Sequence, residues 1–294
     1  MVPTAPIFNA PTFLTFAQHS VRSASKTHMS KAFLRIPSKQ VSTSATAAPL
    51  DPIEQALRRD LAIAHRLIAH NQQDELIWNH ISARHPSWAQ GKYLVTPGDT
   101  HFALIEPKDL VLMGGDDNDL QNVTADVIHG AVFQCRPDVM AIVHIHSEAG
   151  MYVSCLPGRD PLQYFTQDGG GFYGKVAYHD FEGVATDKAE QVRIQKDMTT
   201  RTAVGALPDV LIMRQHGTTC CGSSVGAAYV KNFYMDRVCR VQMNLNQANA
   251  KAAPISDDNL NKMKEQFERA DLQHGCEWPA MVRYAEKYLG CDEF

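Results

Sequence analysis

The stretch Ala141-Ile142-Val143-His144-Ile145-His146-Ser147 constrains this chain more than any other. Successive side chains of an extended strand point to opposite faces, so His144 and His146 share one face while Val143 and Ile145 fill the other. Two imidazoles spaced about 6–7 Å along a strand can close on a single cation. Zinc takes imidazole nitrogen at roughly 2.0–2.1 Å, and a catalytic zinc keeps three protein ligands plus an open position. A third histidine is therefore expected. The candidate is His216, at the end of a second apolar strand in Val210-Leu211-Ile212-Met213-Arg214-Gln215-His216-Gly217. The alternative is a hydrogen-bonded histidine pair that holds no metal.

Composition narrows the field around this feature. The 294 residues, 44% of them apolar, suit one large domain or two small ones. The sequence has no run of about 18 apolar residues, so nothing reads as a membrane-spanning helix. The net charge of −4 divides into +5 over residues 1–50, which carry no acid, and −9 over the rest. An acidic body argues against a nucleic-acid groove. Cysteines 135, 155, 220, 221, 239, 276 and 291 are odd in number and form no Cys-x-x-Cys pair, which reads as reduced thiols in an intracellular protein. Cys220 and Cys221, just after His216, read as buried small hydrophobes before ligands. Residues 1–50 end in the low-complexity Ser42-Thr43-Ser44-Ala45-Thr46-Ala47-Ala48-Pro49 and read as a disordered tail. Their acid-free composition also suits an organelle transit peptide. Cytoplasmic location is expected, mitochondrial if that segment is a targeting signal.

Periodicity supplies the remaining elements. Asp51-Pro52 starts an amphipathic helix over 52–70. Leu76–Arg84, Lys92–Thr96 and Leu110–Met113 have strand character, the last stopped by the acidic loop 114–119, which reads as a solvated hairpin tip. Residues 124–135 form a helix with Thr124 as its cap, and a short helix follows Ser147. Gly169-Gly170-Gly171 is a flexible turn and no phosphate loop, since no Gly-Lys-Ser/Thr follows. Further helices cover 188–198, 226–247 and 256–268, and another begins at Trp278. Strands interleaved with helices predict helices packed on a sheet, and the short early strands predict antiparallel pairing.

Four motifs in order resemble one family: Leu76-Ile77-Trp78-Asn79-His80-Ile81-Ser82, Arg136-Pro137-Asp138-Val139 leading into His144-Ile145-His146, Val176-Ala177-Tyr178-His179-Asp180, and Arg214-Gln215-His216-Gly217. Together they resemble the class II aldolase/adducin family over about residues 52–250, with the adducin-like branch nearest. The resemblance implies an α/β fold, a three-layer α/β/α sandwich on a mainly antiparallel sheet. It divides the chain into a tail (1–50), the family domain (51–250) and a C-terminal helical extension (251–294) packed on the domain or on a neighbouring subunit. It implies a homotetramer acting on a small-molecule substrate. It also implies a divalent metal, zinc first and iron(II) second, held by His144, His146 and His216.

The family's aldolases make or break a carbon–carbon bond through an enediolate. Relatives include epimerases, a dehydratase, decarboxylases and iron oxygenases of secondary metabolism. The aldolases carry their acid/base Glu 19 residues ahead of the first histidine, where this chain has Ala125. Most phosphate-binding serines are also replaced, while Asn79, Ser82 and Thr96 remain as substrate-binding candidates with Gln167. Asp168 is the first candidate for the missing proton carrier and Tyr164 the second. Asp168 capping the glycine turn is the structural alternative. His129 and His179 read as structural residues bonded to backbone groups. The leading expectation is a metal-dependent lyase, with aldol or related enolate chemistry on a hydroxy- or oxo-carbonyl compound that is not a phospho-sugar. An iron(II) oxygenase or decarboxylase and a non-catalytic adducin-like interaction module are the alternatives.

Overall fold

The computed structural model describes residues 51–114, 122–270 and 276–294, so the expected tail and most of the acidic hairpin tip lie outside the described residues. The strands are β1 (His80–Ala83), β2 (Tyr93–Val95), β3 (Val111–Met113), β4 (Ala141–Ile145), β5 (Val176–His179), β6 (Val210–Met213) and β7 (Gly217–Gly222). They form one sheet in the order β3-β2-β1-β4-β7-β6-β5. Every pairing is antiparallel except that of β5 with β6. The helices are α1 (Pro52–His70), α2 (Val123–Cys135), α3 (Glu148–Ser154), α4 (Glu190–Thr199), α5 (Val225–Gln247), α6 (Asp257–Ala270) and α7 (Glu277–Tyr288). No described helix is long and apolar enough to cross a membrane.

Alternation along the strands sorts the sheet into two faces. Ile81, Leu94, Val143 and Ile145 pack with α1, α5 and α7, and Val210, Ile212 and Cys220 extend that layer under α3. Tyr93, Val95, Ile142, Leu211 and Cys221 face the other way, onto α2 and α4. The result is the expected α/β/α arrangement on a mainly antiparallel sheet. α1 begins where Asp51 accepts from the backbone N–H groups of Ile53 and Glu54, with Pro52 first in the helix. It buries Leu61, Leu67 and Ile68, each such side chain contributing about 1.5–3 kcal/mol. α7 closes over α1 and α5, and Trp278 lies where a side chain on Gly226 would sit, 2.3 Å from its ring.

Several local expectations are corrected. The strand expected over Leu76–Arg84 is confined to His80–Ala83; Leu76 (φ 45°) lies in a turn that precedes it. The glycines 169–171 are buried within a 3-10 turn, Gln167–Phe172, because α6 and the Tyr164 ring pack directly on their backbone. Thr166, not Asp168, occupies the cap of that turn, and Asn122, not Thr124, caps α2. The central strand β7, Gly-Thr-Thr-Cys-Cys-Gly, carries no large apolar residue and yet is buried throughout. Its smallness is steric: a Cβ on Gly222 would meet the Ala228 backbone nitrogen of α5 at 2.3 Å.

Candidate metal centre

β4 and the β6–β7 hairpin deliver the three expected histidines to one place. Met213 pairs with Gly217, leaving Arg214-Gln215-His216 as the connecting loop. Gln215 takes a left-handed conformation (φ 51°), and its N–H donates to the Ser154 carbonyl at 3.2 Å. Gly217 has to be glycine, because a Cβ there would lie 2.5 Å from the Ile145 carbonyl oxygen and 2.9 Å from the His146 ring. That close approach puts the His216 ring 4.9 Å from that of His144 and 4.7 Å from that of His146. One ring nitrogen from each of the three lies within 4.8 Å of the others.

The far nitrogens are occupied. His146 Nδ1 lies 2.6 Å from Glu75 Oε2, and since a carboxylate only accepts, the imidazole carries its proton on Nδ1 and aims a bare Nε2 at the cluster. His144 Nδ1 lies 2.9 Å from Thr219 Oγ1, a hydroxyl that either accepts or donates. His144 can thus hold its proton on Nε2 in the free protein and on Nδ1 when a cation takes Nε2. The two Nε2 atoms stand 3.0 Å apart, close to the roughly 3.4 Å that two nitrogens span across a tetrahedral zinc.

Electrostatics keep two of the donors, His144 and His216, neutral. Burial, reinforced by His80, His216 and His146, holds His144 well below the ordinary imidazole value. Burial and then His146 push His216 down to about 4. Neutral imidazole is the form a divalent cation requires. The donor set therefore fits a metal.

The other histidines differ. His80 lies opposite His144 across β1 and β4 and stacks on it at 4.7 Å. Its Nδ1 meets His129 Nε2 at 2.8 Å, its Nε2 meets the Thr124 hydroxyl at 3.3 Å, and His129 Nδ1 meets Ser82 Oγ at 2.6 Å. His179 sits against Asp197 at 2.7 Å and Glu190 at 3.3 Å. His129 and His179 thus bond to side chains, not to the backbone groups expected, because strand and helix ladders already use the backbone around them.

The remaining candidates are distributed as follows. Asn79 is 1% exposed, and neither end of its amide has a hydrogen-bond partner among the described residues. Ser82 and Thr96 use their hydroxyls inside the protein, on His129 and on His65. Gln167 is exposed at the start of the 3-10 turn. Asp168 accepts from Arg237 of α5 at 2.8 Å, and Tyr164 donates to the Phe172 carbonyl at 3.3 Å. Burial raises the Tyr164 phenol above its ordinary value. Ala125 is fully buried in α2. Sequence reasoning missed Glu75 and Thr219, which lie in segments remote from the histidines they touch. A cavity of about 400 Å³, lined by Arg84, Trp88, Lys92 and Phe133, opens at the far end of β1 from His80. Arg84 there donates to the Phe133 and Arg136 carbonyls that end α2.

The α/β/α sandwich that carries these histidines is the fold that comparison with known proteins also finds. Residues 59–243 match the family described as Class II Aldolase and Adducin N-terminal domain, and the chain belongs to that family. An aldolase class 2 protein of Pseudomonas aeruginosa, so named only provisionally, is 29% identical over 80% of this chain and 91% of its own. Rat alpha-adducin is 33% identical over 66% of this chain, which spans 26% of that longer protein. The crystal structure of an aldolase II superfamily protein from Pseudomonas syringae superimposes with a TM-score of 0.71 at 28% identity, covering 82% and 96% of the two chains. L-Fuculose 1-phosphate aldolase from Glaciozyma antarctica shares the fold at a TM-score of 0.65 and 23% identity, covering 82% and 95%.

Proposed function

We propose that this protein is a divalent-metal-dependent lyase, with zinc as the metal, that makes or breaks a carbon–carbon bond next to a carbonyl. The convergence of His144, His146 and His216 within 4.8 Å carries this reading. A cation held there supplies Lewis acidity, polarising a substrate carbonyl. Asn79, next to His80 in the chain, has an amide with no hydrogen-bond partner among the described residues, a donor and acceptor suited to a substrate hydroxyl or carbonyl oxygen. Ser82 and Thr96 line the same strands but, tied to His129 and His65, act by holding them in place. Asp168 and Tyr164 remain the candidates for moving a proton, and Gln167 beside them a candidate for binding substrate. With the hydroxyls of Ser82 and Thr96 engaged inside the protein, little is left to grip a phosphate, so the substrate is a hydroxy- or oxo-carbonyl compound without one.

The test is elemental analysis of the purified protein together with retro-aldol assays on paired phosphorylated and unphosphorylated substrates. Near-stoichiometric metal, lost in His144→Ala, and turnover of the unphosphorylated member are expected. Substoichiometric metal unchanged by that substitution counts against the reading. Three imidazoles also suit iron(II), and iron-dependent oxygen uptake would move the assignment to an oxygenase or decarboxylase. The 33% identity to alpha-adducin supports a second reading, a non-catalytic interaction module. Oligomerisation without any metal-dependent turnover would favour it.

A further inference from the structure

The segment between α1 and β1 contributes no ligand to the cluster, yet its geometry is fixed toward it. Asn71 donates to the Tyr229 hydroxyl at 3.2 Å, Gln73 accepts from Asn232 at 3.4 Å, and Asp74 meets His101 at 3.3 Å. Two non-glycine residues, Gln72 (φ 56°) and Leu76 (φ 45°), take the left-handed conformation that side chains rarely adopt. The Trp78 N–H closes the turn on the Glu75 carbonyl at 3.0 Å. These restraints converge on one side chain, whose carboxylate reaches His146 Nδ1 at 2.6 Å.

We infer that Glu75 is a positioning residue of the metal centre: its carboxylate fixes the Nδ1–H tautomer and the ring angle of His146, so that Nε2 faces the cation. The inference rests on the metal-centre reading above. The two strand histidines are then served unequally. His144 is buried and held by a neutral hydroxyl inside the sheet, whereas His146 lies past the end of β4 and depends on an anion supplied by a loop. A negative partner also makes the imidazole a stronger donor, and outer partners of this kind change metal affinity by roughly 10–100-fold.

The experiment is competition for zinc between the metal-free full-length protein and a chromophoric chelator, with thermal unfolding of the metal-free forms alongside. Glu75→Ala is expected to weaken zinc binding by roughly 10–100-fold. Glu75→Gln, which keeps an acceptor and loses the charge, should fall between it and the unsubstituted protein. Metal-free unfolding temperatures should be unchanged, because the carboxylate is about half exposed, at 47%. Affinity in Glu75→Ala equal to that of the unsubstituted protein overturns the inference and leaves the metal centre standing. So does weakened binding with an equally lowered metal-free unfolding temperature, which marks a general structural role. Failure of the unsubstituted protein to bind zinc overturns this inference and the metal centre together.

Discussion

Two groups of histidines stand side by side on one sheet and behave as opposites. His80 and His129 spend all four ring nitrogens inside the protein, on each other, Thr124 and Ser82. His144 and His146, one strand over, engage only their outer nitrogens with Thr219 and Glu75 and turn the inner ones toward each other and His216. The rings touch, since His80 stacks on His144. What separates the two groups is therefore where each nitrogen's hydrogen bond goes, and not the number of histidines or their burial.

The sharpest way to break this contrast is His144→Ala. Metal affinity should fall by more than the roughly 10–100-fold that loss of an outer partner costs, measured by competition with a chelator. His129→Ala should do the reverse. It strands His80 Nδ1 and the Ser82 hydroxyl in the core and opens a cavity, costing about 2–4 kcal/mol in urea unfolding of the metal-free protein. Metal affinity should change little; a fall as deep as that of His144→Ala would merge the two groups into one.

A third histidine sharpens the contrast through pH. Burial alone would lower His179, but hydrogen bonds and charge from Asp197 and Glu190 together outweigh it, and the group is raised above its ordinary 6.5. Glu182 and His216 also face it electrostatically. A base raised on folding contributes stability that is complete below its unfolded value and is lost as pH rises through the folded one. The stability advantage over Asp197→Asn should shrink as pH is taken from about 6 to about 9. His129, pushed down to about 3 by burial, has the opposite sign and costs stability as pH falls below about 6.5. The smallest effect belongs to Thr219→Val, which removes the partner of His144 Nδ1 at nearly constant volume. A loss of metal affinity of up to about tenfold is expected, toward the low end of outer-partner effects.

Legibility in the sequence followed the same division. His144 and His146 could be placed on one face because β-branched neighbours fix a strand and its period, and His216 because a second apolar run ends there. α1 was equally plain, since Asp51-Pro52 carries its own start signal. β7 was not, because its thematic residues are small and its burial comes from two neighbouring strands and α5, which no local window contains. Leu76–Asn79 looked extended from its apolar residues, but the turn that lifts Glu75 to His146 needs a left-handed Leu76 that propensity disfavours. Glu75 itself was invisible, since an acid in Gln72-Gln73-Asp74-Glu75 has no local signature of a partner 71 residues away.

The place of β7 between β4 and β6 joins segments far apart in the chain. A nascent chain that has emerged only as far as β4 owns two donors. The third arrives about 70 residues later, and reaches the others only once β7 has slotted into the gap. Sliding β7 by one residue would turn each of its side chains to the wrong face. A cation shared by His144, His146 and His216 would therefore tie early and late parts of the polypeptide together.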